Sequence, residues 1–309
     1  MTIRLASLLV LLGAASLLVG GAGLGVSPAS ILWLLRVPRT VLALSVGAGL
    51  GLSGAVLQGA MGNRLADPGL LGIGGCASLG GAIAFYWGLA AMTPVALPLA
   101  GLAGAAVGGV VLFGFAARAG TGLAFILAGV ALASIASALL ALTMALAPNP
   151  FALAELGDWL MGGVADKTPV EAILAAVPVA IGCALQLRLG RRLDALTLGE
   201  TTAASLGFDA ATTWRLAAVG VALAVGAGAA VAGGIGFVGL IVPNLLRPVV
   251  GERPGALLWP SLLGGACLLL AADLLARLAP MLLPLHAEPR LGVLTALLGA
   301  PFLVVLARR

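Results

Sequence analysis

The chain is a succession of apolar runs, each close to the length needed to cross a bilayer as a helix. Ten can be marked, at about 5–24, 40–60, 69–88, 94–115, 122–146, 168–187, 214–233, 235–250, 256–279 and 289–306. A hydrocarbon core about 30 Å thick takes about 20 helical residues at 1.5 Å each. Only 9% of the residues are charged, against about 25% in a soluble domain. A chain so poor in charge cannot bury its apolar side chains in one core and still cover itself with polar groups. No run alternates apolar and polar residues over roughly ten positions, as a barrel strand would. The expected fold is therefore an all-α polytopic membrane protein with about ten transmembrane helices, in one transmembrane domain over 1–309. The eighth run is short and carries Pro243 between "GGIGFVGLIVP" and "NLLRPVVG", so a break or tilt is expected there.

Glycine makes up 46 of 309 residues, about twice the usual share of ~7%. That excess points to helices in close contact through small residues. Gly47 with Gly51, and Gly104 with Gly108, have the four-residue spacing that sets both on one helix face. Basic residues give the orientation. With both termini in the cytoplasm, the inner positions collect 11 of the 16 (Arg4, Arg64, Arg118, Arg188, Arg191, Arg192, Arg215, Arg247, Arg253, Arg308 and Arg309). The outer positions collect Arg36, Arg39, Lys167, Arg277 and Arg290, and the positive-inside rule selects this arrangement. Trp33, Trp87, Trp159, Trp214 and Trp259 all fall near span ends, where indole rings favour the interface. The first run starts like a secretory signal but is long enough to be a retained helix. Cys76, Cys183 and Cys267 lie in separate apolar runs with no CxxC and read as packing residues.

Catalytic chemistry is poorly supplied. The chain has one Lys and one His. "GGVADKT" at 162–168 lacks the glycine directly before Lys167 that a phosphate loop requires. "GLSG" at 51–54 resembles the serine motif of intramembrane proteases, but Ser53 needs a base within hydrogen-bond reach. The single His286 is placed near the opposite surface, so Ser53 reads as a packing residue and His286 as a turn residue. No cluster of side chains has metal-ligand spacing, and no basic patch is backed by stacking aromatics for nucleic acid. Asp273 and Arg277 stand four residues apart near the outer end of the ninth run. Charges at such depth are functional candidates, and a local ion pair that lets Arg277 reach outward is the plainer reading. One such pair is thin support for an ion-coupled carrier.

One long inner segment stays polar: "DALTLGETTAASLG", Asp194–Gly207, preceded by Arg191 and Arg192. Thr197-Leu-Gly-Glu200 fits a capping box, and Gly207 suits a helix stop. A short helix over about 198–206 is expected, following a turn at 193–197. Read from the residues alone, the segment is either a docking surface or a connector.

Five ordered stretches carry a resemblance over nearly the whole chain. They are "LLRVPRTVLALSVGAGLGLSGAVLQGAMGNRLADPGLLGIGGCASLG" at 34–80, "LTLGETTAASLGFD" at 196–209, "GGIGFVGLIVPNLLRPVVG" at 233–251, "LLLAADLLARL" at 268–278 and "LGVLTALLGAPFLVVL" at 291–306. With these the chain resembles the FecCD family, the permease subunits of ABC importers for iron-siderophores, heme and cobalamin. The resemblance implies a second permease subunit, with a homodimer favoured, and two separate ATPase subunits that bind ATP in place of any cofactor on this chain. It also implies a periplasmic substrate-binding protein and a place in the bacterial inner membrane. It implies that the loop at about 190–210 forms a coupling-helix pair on the ATPase, through Leu196, Gly199, Glu200, Ala203, Ala204 and Gly207. Arg36, Arg39 and Arg277 match positions that receive the binding protein. Gln58 and Asn244 are candidates for the translocation path, although many members have His where this chain has Asn244. "HAEPR" at 286–290 also departs from the family's common pattern. The substrates implied are, in order, siderophore, heme and cobalamin. A stand-alone ion-coupled carrier and an intramembrane hydrolase are the competing classes.

Overall fold

The computed structural model describes all residues except 21–22, 25–27, 90–92, 94, 120–121, 148–149, 283, 285–286 and 308–309. His286 therefore lies outside the described residues. The helices in chain order are α1 (Thr2–Leu18), α2 (Ala29–Met61), α3 (Ile73–Tyr86), α4 (Ala96–Ala119), α5 (Gly122–Ala145), α6 (Pro150–Leu160), α7 (Pro169–Leu187), α8 (Gly190–Leu196), α9 (Glu200–Ser205), α10 (Ala210–Ala232), α11 (Val238–Val250), α12 (Pro254–Leu282) and α13 (Leu291–Ala307). Val19–Gly20 and Gly23–Leu24 pair as a minimal antiparallel ribbon after α1. Each of the ten apolar runs becomes one apolar helix: α1–α5, α7 and α10–α13. Among the described residues, α2, α4, α5, α7, α10 and α12 contain spans long and apolar enough to cross a membrane on their own length, while α1, α3, α11 and α13 are shorter.

α2 runs through the middle of the packed body. Leu42, Leu52 and Leu57 on it are fully buried, and α7, α10, α11 and α12 pack around it. Lipid tails are as apolar as leucine, so helices in a bilayer associate through close packing rather than by escaping water. The glycines make that packing possible. A Cβ built on Gly47 would stand 2.4 Å from the Gly265 carbonyl oxygen, and one on Gly51 would stand 2.4 Å from the Ser261 oxygen. α2 and α12 thus meet backbone to backbone, through the pair of small residues whose spacing the sequence shows. Gly104 of the other pair brings α4 onto α3 in the same way, where an added Cβ would lie 2.2 Å from the Cys76 oxygen. The three cysteines are free and buried, as packing residues should be.

The eighth run departs from expectation. The non-helical stretch is 233–237, before α11, and Pro243 lies inside the helix without ending it. Gly233 has φ 69°, and Phe237 takes φ 66° at the helix N-cap. The break therefore falls where the glycines permit positive φ. Pro243 removes one N–H and leaves the Gly239 carbonyl, four residues back, without its helical donor. The Gln58 amide supplies the replacement, donating from Nε2 to the Gly239 oxygen at 3.2 Å.

The capping box also sits elsewhere than expected. Thr197 is the C-cap of α8, and its hydroxyl donates to the Asp194 carbonyl at 2.7 Å. α9 starts after Gly199, which holds φ 95° and offers no side-chain cap. That positive φ interrupts the turn a capping box from Thr197 to Glu200 would need. A complete box instead opens α7: the Thr168 hydroxyl accepts from the Glu171 N–H at 3.3 Å, and Glu171 Oε2 accepts from the Thr168 N–H at 2.8 Å. Pro169 at the first helical position pre-sets φ there.

Trp33, Trp87 and Trp259 are exposed, in keeping with interfacial rings. Trp159 differs, because its ring lies against α3 at Gly81. Ile3, Val10, Val107, Val110, Phe115, Leu127 and Leu142 are exposed over the outer helices. A bilayer or a partner helix covers such a surface at no penalty, whereas water would not.

Gly54 tests this packing most sharply, since a Cβ there would stand 1.9 Å from the Gly239 oxygen. Gly54→Ala is expected to force α2 from α11 at a cost of about 1–3 kcal/mol. A thermal melt of the detergent-purified protein should show a lowered midpoint, whereas Gly157→Ala, where a Cβ meets nothing within 4 Å, should leave it near the parent value.

Candidate functional site

The polar segment at 190–207 folds as two short helices, α8 and α9. Leu193, Ala195 and Ala203 are buried, while Thr197, Leu198, Gly199, Glu200, Ala204, Leu206 and Gly207 are exposed. Gly207 has φ 84° and closes α9 with a paired stop. The Phe208 N–H donates to the Ala203 oxygen at 2.9 Å and the Gly207 N–H to the Ala204 oxygen at 3.0 Å, the bond pair of a Schellman motif. Arg192 lies over the Phe208 ring at 5.9 Å, a cation–π contact that folds the segment back on itself. Asp209 caps α10, accepting from the Thr212 N–H at 2.8 Å and the Thr212 hydroxyl at 2.6 Å. The Thr212 hydroxyl and N–H hold this carboxylate below the usual range. Its cap is therefore present at neutral pH and is lost as pH falls through the lowered value. A depression of about 660 Å³ between this segment and the start of α12 is lined by Arg191, Asp194, Leu198, Leu206, Phe208 and Pro254, among others. Two exposed leucines, the exposed Glu200 and a defined helix stop make a shaped surface rather than a slack connector.

Gln58 and Asn244, the candidates for the translocation path, both have partners within the chain. Gln58 is buried, donating to the Gly239 and Ala66 carbonyls and accepting from Arg247 at 2.9 Å. Asn244 donates to the Leu240 and Arg64 carbonyls, both at 2.8 Å. Both tie α11 to the end of α2, and the missing N–H of Pro243 is the reason one of the ties is needed. Arg64 and Glu252 add an exposed ion pair at 2.8 Å between the same two regions.

At the N-terminal end of α2 and toward the C-terminal end of α12 the structure gathers the three arginines that the resemblance assigns to docking. α1 ends at Leu18, and the last four carbonyls of a helix have no partner within it. Arg277 donates to the Ser16 and Val19 carbonyls at 2.8 and 2.9 Å and to the Ser16 hydroxyl at 3.0 Å. Arg36 donates to the Leu17 and Leu18 carbonyls at 2.7 and 3.0 Å. The guanidinium groups also meet the negative end of the helix dipole. Asp273, 0% exposed, pairs with Arg277 and accepts from Arg39 Nε at 2.9 Å. Arg39 reaches on to Glu288 at 2.7 Å. Arg277 is 2% exposed, so it does not reach outward to water, and another protein cannot touch it in this conformation. Arg39, with 15% of its side chain exposed, is the more open of the two groups on Asp273.

The remaining motifs resolve as structure. In "GGVADKT", Gly162 packs on the Gly234 carbonyl and the Gly163 N–H donates to Ala232 at 2.8 Å. Lys167 stands 3.7 Å from Glu171, and burial lowers its pKa. Arg290 holds Asp158 through two bonds and ties α6 to the start of α13. Ser53 is fully buried, and its hydroxyl has no hydrogen-bond partner among the described residues. Among the described residues no group of three or more His, Cys, Asp and Glu side chains could hold a metal ion.

Among the described residues, ten apolar helices locked by glycine contacts, with a shaped polar surface at the end of the bundle, make a polytopic membrane protein. Residues 5–309 match the profile of the FecCD transport family. The chain is 39% identical over 277 residues to the "Vitamin B12 import system permease protein BtuC" of Vibrio cholerae, covering 89% of this chain and 81% of that one. It is 38% identical over 305 residues to the protein of the same name from Salmonella typhimurium, covering 98% and 91%. A solved structure of a metal-chelate type ABC transporter in an inward-facing conformation matches with a TM-score of 0.88 at 32% identity, over 99% of this chain and 98% of that one. The chain belongs to the FecCD transport family, and it is a multi-pass transport subunit of the ABC-importer class.

Asp273 is the keystone of the outer charge cluster. Asp273→Ala leaves Arg277 buried without its counter-charge, and removing one partner of such a pair costs about 3–5 kcal/mol. The variant is expected to lose most of its monodisperse yield in detergent gel filtration. Glu288→Ala, which removes only the partly exposed partner of Arg39, should keep it.

Proposed function

We propose that this chain forms the membrane path through which an ATP-driven importer moves vitamin B12 or a closely related corrinoid. The similarity over 98% of the chain to a permease named for vitamin B12 import carries this reading. It replaces the iron-siderophore that the sequence resemblance put first, and an iron chelate becomes the second reading, favoured by the metal-chelate type of the structural relative. In the assembly proposed here, a second copy of the chain completes the path. Two separate ATPase subunits bind and hydrolyse ATP on the cytoplasmic side, and a periplasmic binding protein delivers the substrate from the other. Both termini lie in the cytoplasm of a bacterial inner membrane, on the basic-residue asymmetry. Arg36 and Arg39 contribute to receiving the binding protein only if its acidic groups displace the internal partners of these arginines.

The test is uptake into proteoliposomes holding the chain with its ATPase and binding protein. ATP-dependent accumulation of cyanocobalamin, in preference to a ferric siderophore and to heme, is the expected outcome. Siderophore or heme uptake without cobalamin uptake would overturn the substrate. Uptake by the chain alone under an ion gradient would overturn the ATP-driven class.

The coupling surface proposed is α8–α9, with Leu196, Gly199, Glu200, Ala203, Ala204 and Gly207 shaping it. Its support is the exposed Glu200, Leu198 and Leu206 around a closed helix stop. Glu200→Arg reverses a charge on that surface, and Gly207→Pro removes both the positive φ and the N–H that closes α9. Each variant is expected to lower substrate-stimulated ATP hydrolysis in the full complex while leaving binding-protein affinity unchanged. Parent-level hydrolysis in both would refute this assignment.

A further inference from the structure

We infer that Asp194 is a positioning residue that ties the coupling surface to α12, so that displacement of α8–α9 is delivered to the outer charge cluster through that one helix. The inference rests on the coupling role proposed for α8–α9 and adds the element that receives its motion.

The first N–H groups of a helix need outside acceptors, and residues such as Asp, Asn, Ser or Thr usually supply one from the N-cap. α12 has Arg253 at that position, and an arginine has no acceptor to give. The acceptor comes instead from 61 residues away: Asp194 Oδ1 accepts from the Gly255 N–H at 2.8 Å. Its other oxygen accepts from Arg253 Nη2 at 3.0 Å. Arg253 is 80% exposed, so the ion pair adds little by itself, and the bond to the helix N-terminus is the stronger tie.

The backbones also touch here. A Cβ on Gly255 would stand 2.8 Å from both the Gly190 carbonyl oxygen and Asp194 Oδ2. Leu189 and Leu193 share a buried cluster with Leu258 of α12. The buried face of α8 is therefore seated on the first turn of α12, while α9 stays open to a partner. α12 then runs 29 residues, about 43 Å at 1.5 Å per residue. On the way it meets α2 backbone to backbone at Gly265, and its far end holds Asp273 and Arg277, which grip α2 and the end of α1. One continuous helix thus has the coupling segment fixed at one end and the charge cluster toward the other.

Three variants in the reconstituted complex with its ATPase and binding protein test this. In Asp194→Ala the ATPase should still co-purify and hydrolyse ATP at its basal rate. Stimulation by loaded binding protein and substrate moved per ATP should fall about tenfold, within the 5–150-fold range of ordinary allosteric couplings. Asp194→Asn keeps an acceptor for Gly255 and should retain most of the coupling. Asp194→Ala combined with Arg253→Asp gives α12 a cap of its own without restoring the tie. It should regain thermal stability yet stay uncoupled. Recovery of coupling in that double variant would overturn the inference, because Asp194 would then merely stabilise the helix end. Parent-level coupling in Asp194→Ala would overturn it as well. Loss of ATPase co-purification in Asp194→Ala would place Asp194 on the docking surface and sink the tie while leaving the α8–α9 coupling reading standing. If Glu200→Arg and Gly207→Pro are fully coupled while Asp194→Ala is not, the coupling reading fails instead. Should Asp194→Ala not fold, Arg253→Asp added to it restores the cap, and the same ratio is read on the double variant alone.

Discussion

A backbone carbonyl in hydrocarbon has no water to bond, and this one requirement accounts for Arg36, Gln58 and Arg277 inside the bundle. α1 ends inside the packed body, and its last carbonyls are met by Arg36 and Arg277. Pro243 strips the Gly239 carbonyl of its helical donor, and Gln58 provides one from a different helix. Each of these side chains answers a specific vacancy created by the chain's own geometry. Each unsatisfied group costs several kcal/mol in lipid, which is more than enough to hold a long polar side chain in one conformation against its rotamer entropy of up to about 2 kcal/mol.

Buried charge then brings a second requirement. The Arg277 guanidinium on α1's carbonyls would be uncompensated without Asp273, which pairs with it and with Arg39. The cluster joins α1, α2 and α12 at one end of the bundle, and the glycine contacts join α2 to α12 and α11 along their length. α2, α11 and α12 thereby form a close-packed body whose members cannot slide past one another without parting backbones that already touch. Rigid-body displacement is the kind of motion left to such a body.

The number of spans, their order and the glycine pairs at Gly47 and Gly104 could be read from the chain, because apolar length and four-residue spacing are local properties. The cap of α7 was equally local, written in Thr168, Pro169 and Glu171. The similar pattern at Thr197–Glu200 misled because Gly199 between them adopts a positive φ, and a glycine leaves that choice to its surroundings. The partners of Arg36, Arg39 and Arg277 were not legible. Arg39 and Asp273 are 234 residues apart, and no sequence period predicts that pairing. The same holds for Asp194, which read as one more polar residue in a polar loop. Its meaning comes from the arginine that stands where α12 would otherwise cap itself.

This distribution of polar groups bears on how a large substrate can be moved. The polar side chains that sequence reasoning assigned to path or docking are engaged within the chain: Gln58 and Asn244 on α11, and Arg277 on α1. A path walled by helices whose larger polar groups, such as Gln58 and Asn244, already have partners would hold a ligand weakly. Weak holding suits transport, since a site that binds tightly must also pay to release its cargo. In the importer proposed, affinity and specificity then belong to the protein that delivers the substrate, and this chain supplies shape and movement. The division explains why helix packing is so readable in this sequence while the substrate is not. Packing is dictated by contacts the chain makes with itself, and little in the chain need be complementary to the molecule that passes.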